Sequence, residues 1–541
     1  MLGMRDRLLL LVAMSSMLSA PTLVRAKDEA IGNWIGGMTL GGRYDFVTLK
    51  VAQPDSAKAS IYFRHMNETV PIRLGHSAMA FALHRDNDSL VFKGRIGDDT
   101  VRGRVSTSDA SGTFVFRRWR PIDEPKAAEY TGAYEVRPGI VITIHVLGHE
   151  LYFYDPESGR YGLALPLAQD EFFAGPTYLQ FDPVALRFRF SRDPQGRLLL
   201  HLRRGTGHEV IARKGAFAEE EVHVRNGPVI LSGTLRIPTG RGPHPAVVMI
   251  AGSGPQTRDG FDSHLRIHSD LLAANGFVVL SYDKRGVGGS TGDYRIADPE
   301  ELASDAAAAV AFLRSRPEVD STKVGLFGAS QGGMIEPFVA ARDTTIAFVV
   351  NVGGTIVDGE QQEVYRVEAQ MAAEGYPDEE THEAVALQIL KFYYARTGMG
   401  WESYSAARTR NQGKKWLADV VRFAPEDKSS TSWEFWRKFN VDLSQQWARV
   451  RSPVLLIYGG LDPQSPIDRS IELFRNTVRS SGNSRTEVKL YPGANHVLLK
   501  VRGSAEADEQ LTRGYDIDYL RYLVAWMKRH AGMNSRGAGN E

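Results

Sequence analysis

The chain of 541 residues is longer than one domain usually is, and its length alone predicts roughly two to four domains. Its 65 lysines and arginines are balanced by 64 aspartates and glutamates. The net charge therefore gives no reason to expect a nucleic acid or an anionic membrane as a partner. The sequence contains no cysteine, which excludes disulfides, thiolate nucleophiles and cysteine-ligated metals.

Residues 1–26 have the layout of a secretory signal peptide. Two arginines precede an apolar run over residues 8–18, and small residues favour cleavage after Ala26, with Ala20 as the second possible site. The run is shorter than the ~20 residues that a membrane-spanning helix needs. We therefore expect an exported protein, periplasmic or secreted, whose mature chain has no membrane span. The sequence carries no signal for an oligomeric state.

Residues 27–122 and 126–215 are predicted to form two β-rich modules, joined by a linker at residues 121–126. Short segments with alternating polar and apolar residues are separated by Gly, Asp, Asn and Pro in both modules. This pattern is typical of strands and turns. Neither module has the spacing of a catalytic motif, so no function is predicted for them.

From residue 216 onwards, apolar runs alternate with helical segments. The run at 246–250 is typical of a buried strand, and 300–316 is predicted to be a helix that Asp298 caps. Such alternation predicts an α/β protein with a doubly wound, mostly parallel sheet. The sheet is expected to occupy residues 216–354 and to resume at 448–533.

Residues 355–447 interrupt this alternation with a helical insertion that is rich in Trp and Tyr. So long an interruption is typical of a functional segment, and it leaves the sheet at the carboxyl edge, where ligands bind in α/β sheets. We therefore expect a helical cap, with some of its aromatic residues forming the cap's own core. Trp401, Trp433 and Trp436 lack helical periodicity, so we expect at least one of them to line the substrate pocket.

The sequence Gly328-Ala329-Ser330-Gln331-Gly332 matches the G-x-S-x-G nucleophile elbow. It lies between a predicted strand at 324–327 and a predicted helix at 333–342, and this position gives weight to an otherwise common pattern. A serine at such a turn is strained, and glycines on both sides let strand and helix pass closely. Ser330 is the candidate nucleophile. The backbone N–H of Gln331 can face a developing oxyanion.

The base and the acid are expected downstream, in the order Ser, acid, His. Beyond the insertion only His496 and His530 remain, and His530 is expected in a solvated tail after the last helix. His496 follows a predicted strand and is the candidate base. Asp462 follows another predicted strand and is the candidate acid. Asp358 is the second candidate, and Asp468, which is expected to start a helix, is the third.

A second oxyanion donor should come from the loop after the strand at 246–250. We favour the backbone N–H of Ser253, with Gly254 as the alternative.

The nearby Gly286-x-Gly288 pattern has Thr291 where a dinucleotide fingerprint has its third glycine, so no nucleotide cofactor is expected. The sequence lacks H-E-x-x-H and comparable ligand spacing, so no metal is expected.

These segments together resemble the α/β-hydrolase superfamily, and within it the bacterial esterase and serine-aminopeptidase-like branch with an inserted cap. The resemblance covers roughly residues 217–533 and is carried by the Gly252-Ser253-Gly254-Pro255-Gln256 loop, the Tyr282-Asp283-Lys284-Arg285-Gly286-Val287-Gly288-Gly289-Ser290 loop, the elbow, and the loops of Asp462 and His496. Ala251 and Ala329 depart from the pattern, since many relatives have histidine there, but neither position takes part in proton transfer. The resemblance also implies a structural role for Asp283 and Arg285, as a buried acid–arginine pair at the floor of the site.

The resemblance implies a hydrolase that cleaves small-molecule carboxylic esters through an acyl-serine intermediate. Ser330 would attack, His496 would take and return the proton, and Asp462 would orient the ring. The amides of Gln331 and Ser253 would hold the oxyanion.

Three other functions stay open. An aminopeptidase or amidase, and equally a thioesterase, would use the same residues, but a peptidase would also need a buried carboxylate for the substrate amine. Glu360, Glu363 and Glu368 are expected on a solvated helix. A non-catalytic envelope-binding protein is the weakest alternative, because a decayed enzyme would be expected to have lost part of its triad.

Overall fold

The computed structural model describes residues 30–533 except for 53–57, 64–65, 76, 86–87, 123, 148–149, 422–423, 502 and 504–513. The expected signal peptide at residues 1–26 lies outside the described residues. Contacts divide the chain into two compact units, Met1–Thr131 with His145–Phe153 and Gly162–Ile211, and Gly132–Ile144 with Tyr154–Tyr161 and Ala212–Glu541. Among the described helices, none is long and apolar enough to cross a membrane.

The first eight strands form a closed antiparallel barrel in which each strand pairs with the next along the chain. They are β1 (Gly32–Leu40), β2 (Arg43–Val51), β3 (Lys58–Phe63), β4 (Met66–Gly75), β5 (Ala78–Arg85), β6 (Asp88–Ile96), β7 (Thr100–Ser106) and β8 (Ser111–Trp119). β1 pairs with β8 and closes the barrel. Alternating apolar residues fill the interior, where the rings of Phe81 and Phe92 stack with centroids 4.5 Å apart.

A short helix, α1 (Glu124–Tyr130), leads to a second closed barrel of eight strands. Its strands are β9 (Gly132–Arg137), β10 (Ile140–Leu147), β11 (Glu150–Asp155), β12 (Arg160–Ala168), β13 (Glu171–Ala174), β14 (Leu186–Arg192), β15 (Leu198–Arg204) and β16 (Glu209–Lys214). β16 pairs with β9, so this barrel also closes between its first and last strands.

The rest of the chain builds an eight-stranded sheet in the order β17-β18-β20-β19-β21-β22-β23-β24. The strands are β17 (Phe217–Asn226), β18 (Val229–Pro238), β19 (His244–Ile250), β20 (Val278–Tyr282), β21 (Val319–Ala329), β22 (Val349–Val352), β23 (Val454–Gly459) and β24 (Thr486–Tyr491). β17 and β18 are antiparallel to their neighbours, whereas the six strands β19 to β24 run parallel to one another. The predicted α/β class with β-rich N-terminal modules is confirmed.

Helices cover the sheet and form the cap. They are α2 (His264–Ala274), α3 (Pro299–Arg314), α4 (Gln331–Arg342), α5 (Gly359–Ala373), α6 (Asp378–Thr397), α7 (Trp401–Arg410), α8 (Leu417–Val420), α9 (Trp433–Phe439), α10 (Leu443–Trp447), α11 (Ile467–Ser481) and α12 (Ile517–His530). Asp298 caps α3 as predicted, since its carboxylate accepts a hydrogen bond of 2.8 Å from the N–H of Glu301.

The cap consists of α5 to α9, inserted between β22 and β23. Its two ends lie side by side, because the N–H of Glu360 donates to Oδ1 of Asn440 at 3.0 Å. Gly359 also lies against the ring of Phe439. The cap helices bury their own aromatic core, separate from the core of the sheet.

Candidate active site

Ser330 occupies the turn between β21 and α4 with φ 54° and ψ −117°, a conformation that residues with a β-carbon rarely adopt. The glycines around it are required by close backbone contacts. A β-carbon on Gly332 would lie 2.1 Å from the carbonyl oxygen of Ile250, and one on Gly328 would lie 2.5 Å from the backbone of Gly332. The structure therefore has the strained turn that the elbow motif predicts.

His496 and Asp462 lie in contact. Nδ1 of His496 is 2.7 Å from Oδ2 of Asp462, and the carboxylate is fully buried. The other oxygen of Asp462 accepts a hydrogen bond of 2.7 Å from the N–H of Gln464, which fixes the carboxylate. A carboxylate can only accept, so Nδ1 carries the proton of the neutral ring and Nε2 is its basic nitrogen.

Ser330 and His496 line the same small cavity, whose volume is about 50 Å³. Its walls are mostly apolar, and the lining residues are His264, Leu265, His268, Phe327, Ala329, Ser330, Val352, His496 and Val497. The arrangement places the strained hydroxyl and the imidazole at one small, apolar space.

Two further histidines of this cavity, His264 and His268, are one turn apart on α2. Nε2 of His268 lies 2.7 Å from the hydroxyl of Tyr519, and Nδ1 of His264 bonds the hydroxyl of Tyr515. Burial lowers the pKa of His264 to about 3 and that of His268 to about 4, so both rings are neutral at pH 7. Sequence reasoning missed this pair, although the i, i+4 spacing on a helix after the oxyanion loop was available as a signal.

The predicted oxyanion loop lies against the nucleophile. A β-carbon on Gly252 would be 3.3 Å from the Cβ atom of Ser330, so the backbone before Ser253 passes directly beside the elbow. Gln331 begins α4, where the N–H groups of the first turn lack partners within the helix. Both amides proposed for the oxyanion therefore belong to segments next to Ser330.

Sequence reasoning also missed Lys284. This side chain is buried, and its Nζ donates to the carbonyl oxygen of Gly252 and, at 2.9 Å, to Oε1 of Gln331. Burial of an ammonium group cannot be read from the local sequence, which shows only a lysine in a polar loop.

Asp283 and Arg285 on either side of Lys284 are both buried, as the resemblance implied. Each of them pairs with a residue elsewhere. Asp283 binds Arg258 at 2.8 Å, and Arg285 binds Asp305 at 2.7 Å.

The other acids and the second histidine have structural surroundings of their own. Asp358 caps α5 by accepting from the N–H of Gln361, and Asp468 is exposed in the first turn of α11. His530 is the last residue of α12 rather than part of a tail beyond it, and its ring lies 4.1 Å from that of Trp526. Among the described residues that line the cavity of Ser330, none of these three occurs.

The expectation that Trp401, Trp433 or Trp436 lines the pocket is corrected by the structure. Trp433 and Trp436 are buried in the cap's core, and Trp401 packs against them from its edge. Ring centroids of Trp401 and Trp433 are 6.1 Å apart, and Trp436 meets Phe392 edge to face at 5.6 Å. The short cap helices fill their seam with aromatic rings, so, within the described chain, none of the three residues lines the cavity of Ser330.

Within the part of the chain that the structure describes, no group of three or more histidine, aspartate or glutamate side chains is placed to hold a metal ion.

The matches to known proteins include the part of the chain that contains the sheet and the candidate site. The family model of X-Pro dipeptidyl-peptidases (S15 family) matches residues 227–496. Esterase EstD of Thermotoga maritima is 26% identical over 319 residues, which are 58% of this chain and 68% of EstD.

Two solved structures cover a similar share of the chain. An esterase of Pyrococcus furiosus matches 58% of this chain and 92% of its own, with 17% identity and a TM-score of 0.39. A dienelactone hydrolase of Anabaena variabilis matches 58% of this chain and 98% of its own, with 19% identity and a TM-score of 0.33. The family match, the relationship to EstD and the strand–turn–helix geometry around Ser330 together support an α/β-hydrolase of the esterase and peptidase-like branch.

Proposed function

We propose that the protein is a serine hydrolase that cleaves carboxylic esters through an acyl-serine intermediate. The observation that carries the proposal is the hydrogen bond of 2.7 Å between His496 and the buried Asp462, at the cavity that His496 shares with the strained Ser330. The branch of the superfamily and the similarity to an esterase support the same reaction class.

In the proposed reaction, Oγ of Ser330 attacks the ester carbonyl while Nε2 of His496 takes the hydroxyl proton. Asp462 holds the ring and stabilises the imidazolium. The negative oxygen of the tetrahedral intermediate is held by the N–H groups of Ser253 and Gln331. Collapse breaks the bond to the alcohol, which leaves with the proton from His496. Water then attacks the acyl-serine by the same route and releases the acid.

The cavity beside Ser330 supports short acyl chains as substrates. A cavity needs about 10–15 Å³ to hold one water molecule. The cavity beside Ser330, with a volume of about 50 Å³, therefore holds only a few heavy atoms. Its apolar walls suit an uncharged chain. Acetate and butyrate esters should therefore be better substrates than long-chain esters.

The S15 match makes a peptidase the second candidate function. A peptidase that reads a free α-amine needs a buried carboxylate for it. Glu363 in the cap is buried, contrary to the expectation of a solvated helix, but Arg366 binds it at 3.1 Å and Lys391 lies 4.0 Å away. A carboxylate already engaged by an arginine is a poor amine receptor, and this favours the ester.

We also propose that the chain is exported by residues 1–26 and acts in the periplasm or outside the cell. The basic start, apolar run and small cleavage residues support this. Fractionation of an expressing bacterium, with sequencing of the mature N-terminus, should find a chain that begins at Lys27 outside the cytoplasm. A full-length chain in the cytoplasm would contradict export.

The reaction is tested with p-nitrophenyl esters of increasing acyl length, beside aminoacyl p-nitroanilides. Ser330→Ala should lower kcat by roughly 10³-fold or more, and a fluorophosphonate should label the Ser330 peptide stoichiometrically. Ser321→Ala, at an exposed serine of β21, is the matched control and should keep full activity. Labelling at another serine, together with activity in Ser330→Ala, would remove the assignment. Faster turnover of the anilides would favour the peptidase.

A further inference from the structure

We propose that Lys284 is a positioning residue that sets the oxyanion hole, by holding the two backbone segments that form it and by placing a positive charge behind them. This inference rests on the proposed ester hydrolysis. It assigns a function to a lysine that the proposed chemical steps do not use.

Lys284 lies in the loop that follows β20, and the residue is 6% exposed. Its Nζ donates to the carbonyl oxygen of Gly252 and to Oε1 of Gln331, the latter at 2.9 Å. Gly252 precedes Ser253 in the oxyanion loop, and Gln331 is the first residue of α4. One ammonium group thus bridges the two segments that supply the proposed donors.

The bond to Gly252 acts directly on the donor of Ser253. The carbonyl of Gly252 and the N–H of Ser253 belong to the same planar peptide unit, in which they point in opposite directions. Holding the carbonyl oxygen therefore fixes the direction of the N–H. The positive charge also polarises the peptide, which makes the N–H a stronger donor to an oxyanion.

The charge of Lys284 is not cancelled by the charged residues beside it in the chain. Asp283 is bonded to Arg258, and Arg285 is bonded to Asp305. Asp305 and Tyr282 are the titratable groups that share a small cavity with Lys284. Burial raises the pKa of Tyr282, so its phenol is neutral and does not balance the ammonium group.

Burial lowers the pKa of Lys284 to about 7. The ammonium form therefore dominates below neutral pH and is lost as the pH rises through this value. Since the charge would stabilise the oxyanion, kcat should fall on the alkaline side in a way that depends on Lys284.

The experiment compares full-length wild type with Lys284→Met, Lys284→Arg and a matched control, on p-nitrophenyl acetate between pH 6 and 10. The control is Lys528→Met, since Lys528 is half-buried, also has a lowered pKa and donates to Asn275 at 2.8 Å. Lys284→Met should lower kcat about 10- to 100-fold at pH 7 with KM within about threefold, and should lose the alkaline fall. Lys284→Arg, which keeps its charge, should recover part of kcat without an alkaline fall. The control should keep the wild-type profile.

The proposal is overturned if Lys284→Met keeps the wild-type kcat, or if it lowers kcat equally at every pH while the alkaline fall remains, as a purely structural role would. If Lys284→Met does not fold, the pH profiles of kcat for wild type and Lys284→Arg test the proposal. A wild-type kcat that stays flat from pH 7 to 10, or an alkaline fall that persists in folded Lys284→Arg, also overturns it. Failure of the ester hydrolysis itself would appear separately, as missing fluorophosphonate labelling of Ser330.

Discussion

At the scale of single residues, the proposed proton transfer depends on how Asp462 holds His496. An asparagine at 462 can present its N–H₂ group to Nδ1, which would favour the wrong tautomer of the ring. Asp462→Asn should therefore lower kcat by about 10³-fold or more.

Asp358→Asn is the matched control, because asparagine caps a helix as well as aspartate does and α5 should stay intact. Its activity should stay within a few-fold of wild type. Steady-state kinetics on p-nitrophenyl acetate check both variants. A larger loss in Asp358→Asn than in Asp462→Asn would move the acid to the end of β22.

The buried histidines of α2 make stability depend on pH. Burial lowers the pKa of His268 to about 4 in the folded chain, whereas an unfolded histidine titrates near 6.5. Between these values the unfolded state binds the extra proton. The contribution of His268 to the free energy of unfolding is therefore fully present above about pH 6.5 and is lost as the pH drops towards 4. His264, with its pKa lowered to about 3, acts in the same direction.

Each of the two histidines should therefore cost about 1 kcal/mol of stability per pH unit in this range. His268→Gln keeps an acceptor for Tyr519 but does not titrate, so its melting temperature should fall less between pH 7.5 and 5 than that of wild type. His208→Gln changes an exposed histidine and should behave as wild type. Equal shifts in all three proteins would contradict the linkage.

The candidate nucleophile, acid and base could be found from the sequence because each directly follows a strand. Parallel strands bring their carboxyl ends to one edge, so Ser330, Asp462 and His496 were expected together before any contact was known. Lys284 also follows a strand, β20, but no local motif marks it, and His268 lies within a helix. Their significance comes from burial, which depends on residues far along the chain, such as Gln331 and Tyr519.

At the scale of elements, the cap is held together by its tryptophans. The ring of Trp433 lies 4.9 Å from Tyr394 and 5.7 Å from Tyr404, both edge to face. Trp433→Ala should destabilise the protein by about 3–5 kcal/mol, because it leaves a cavity in this core. Thermal unfolding checks the stability.

The acyl-length profile of Trp433→Ala should stay that of wild type, apart from a general loss of active protein. Trp401→Ala, at the partly exposed edge of the same cluster, should cost less stability and serves as the comparison. A changed profile without loss of stability would return these residues to the pocket.

Helix α2 sets the size of the proposed acyl pocket through Leu265. Leu265→Ala should enlarge the cavity and raise the ratio of hexanoate to acetate kcat/KM by about 10-fold, since each accommodated methylene is worth 10-fold or more. Leu271→Ala removes a buried leucine elsewhere on α2 and should lower stability without changing the ratio. If both variants give the same profile, acyl length is set elsewhere.

Local sequence patterns predicted individual helices and strands, but they did not predict that the N-terminal strands close into barrels. The capped start of α3 follows from Asp298 and Pro299, which act within one turn. The strands of the β-rich modules were also expected. That they form closed barrels could not be predicted, because closure depends on β1 pairing with β8 about eighty residues later, a contact that no short segment encodes.

At the scale of the whole molecule, the compact unit that contains the sheet also includes Gly132–Ile144 and Tyr154–Tyr161. Within this unit the hydroxyl of Thr143 donates to Asp270 at 3.1 Å, and Asp270 binds the fully buried Arg236 at 2.8 Å. The N–H of Tyr515 donates to the carbonyl of Gly159 at 2.7 Å.

A chain that begins at residue 216 would lack these partners and leave buried polar groups without them. We expect it to melt at a lower temperature than the full-length protein and to turn over p-nitrophenyl acetate poorly. Thr143→Val in the full-length chain isolates one bond and should give a smaller shift. A truncated chain with the full melting temperature and activity would show that the sheet is self-sufficient.

The adjoining ends of the cap bear on how this enzyme could have diverged. Because Glu360 and Asn440 are hydrogen-bonded, the cap is an insertion whose two ends lie next to each other. A short turn could replace it at little cost in loop entropy. Gene segments with such ends can be gained, lost or exchanged while the parental scaffold keeps its register. Since no described cap residue lines the cavity of Ser330, a lineage built on this scaffold could exchange the whole cap and leave the inherited chemistry untouched.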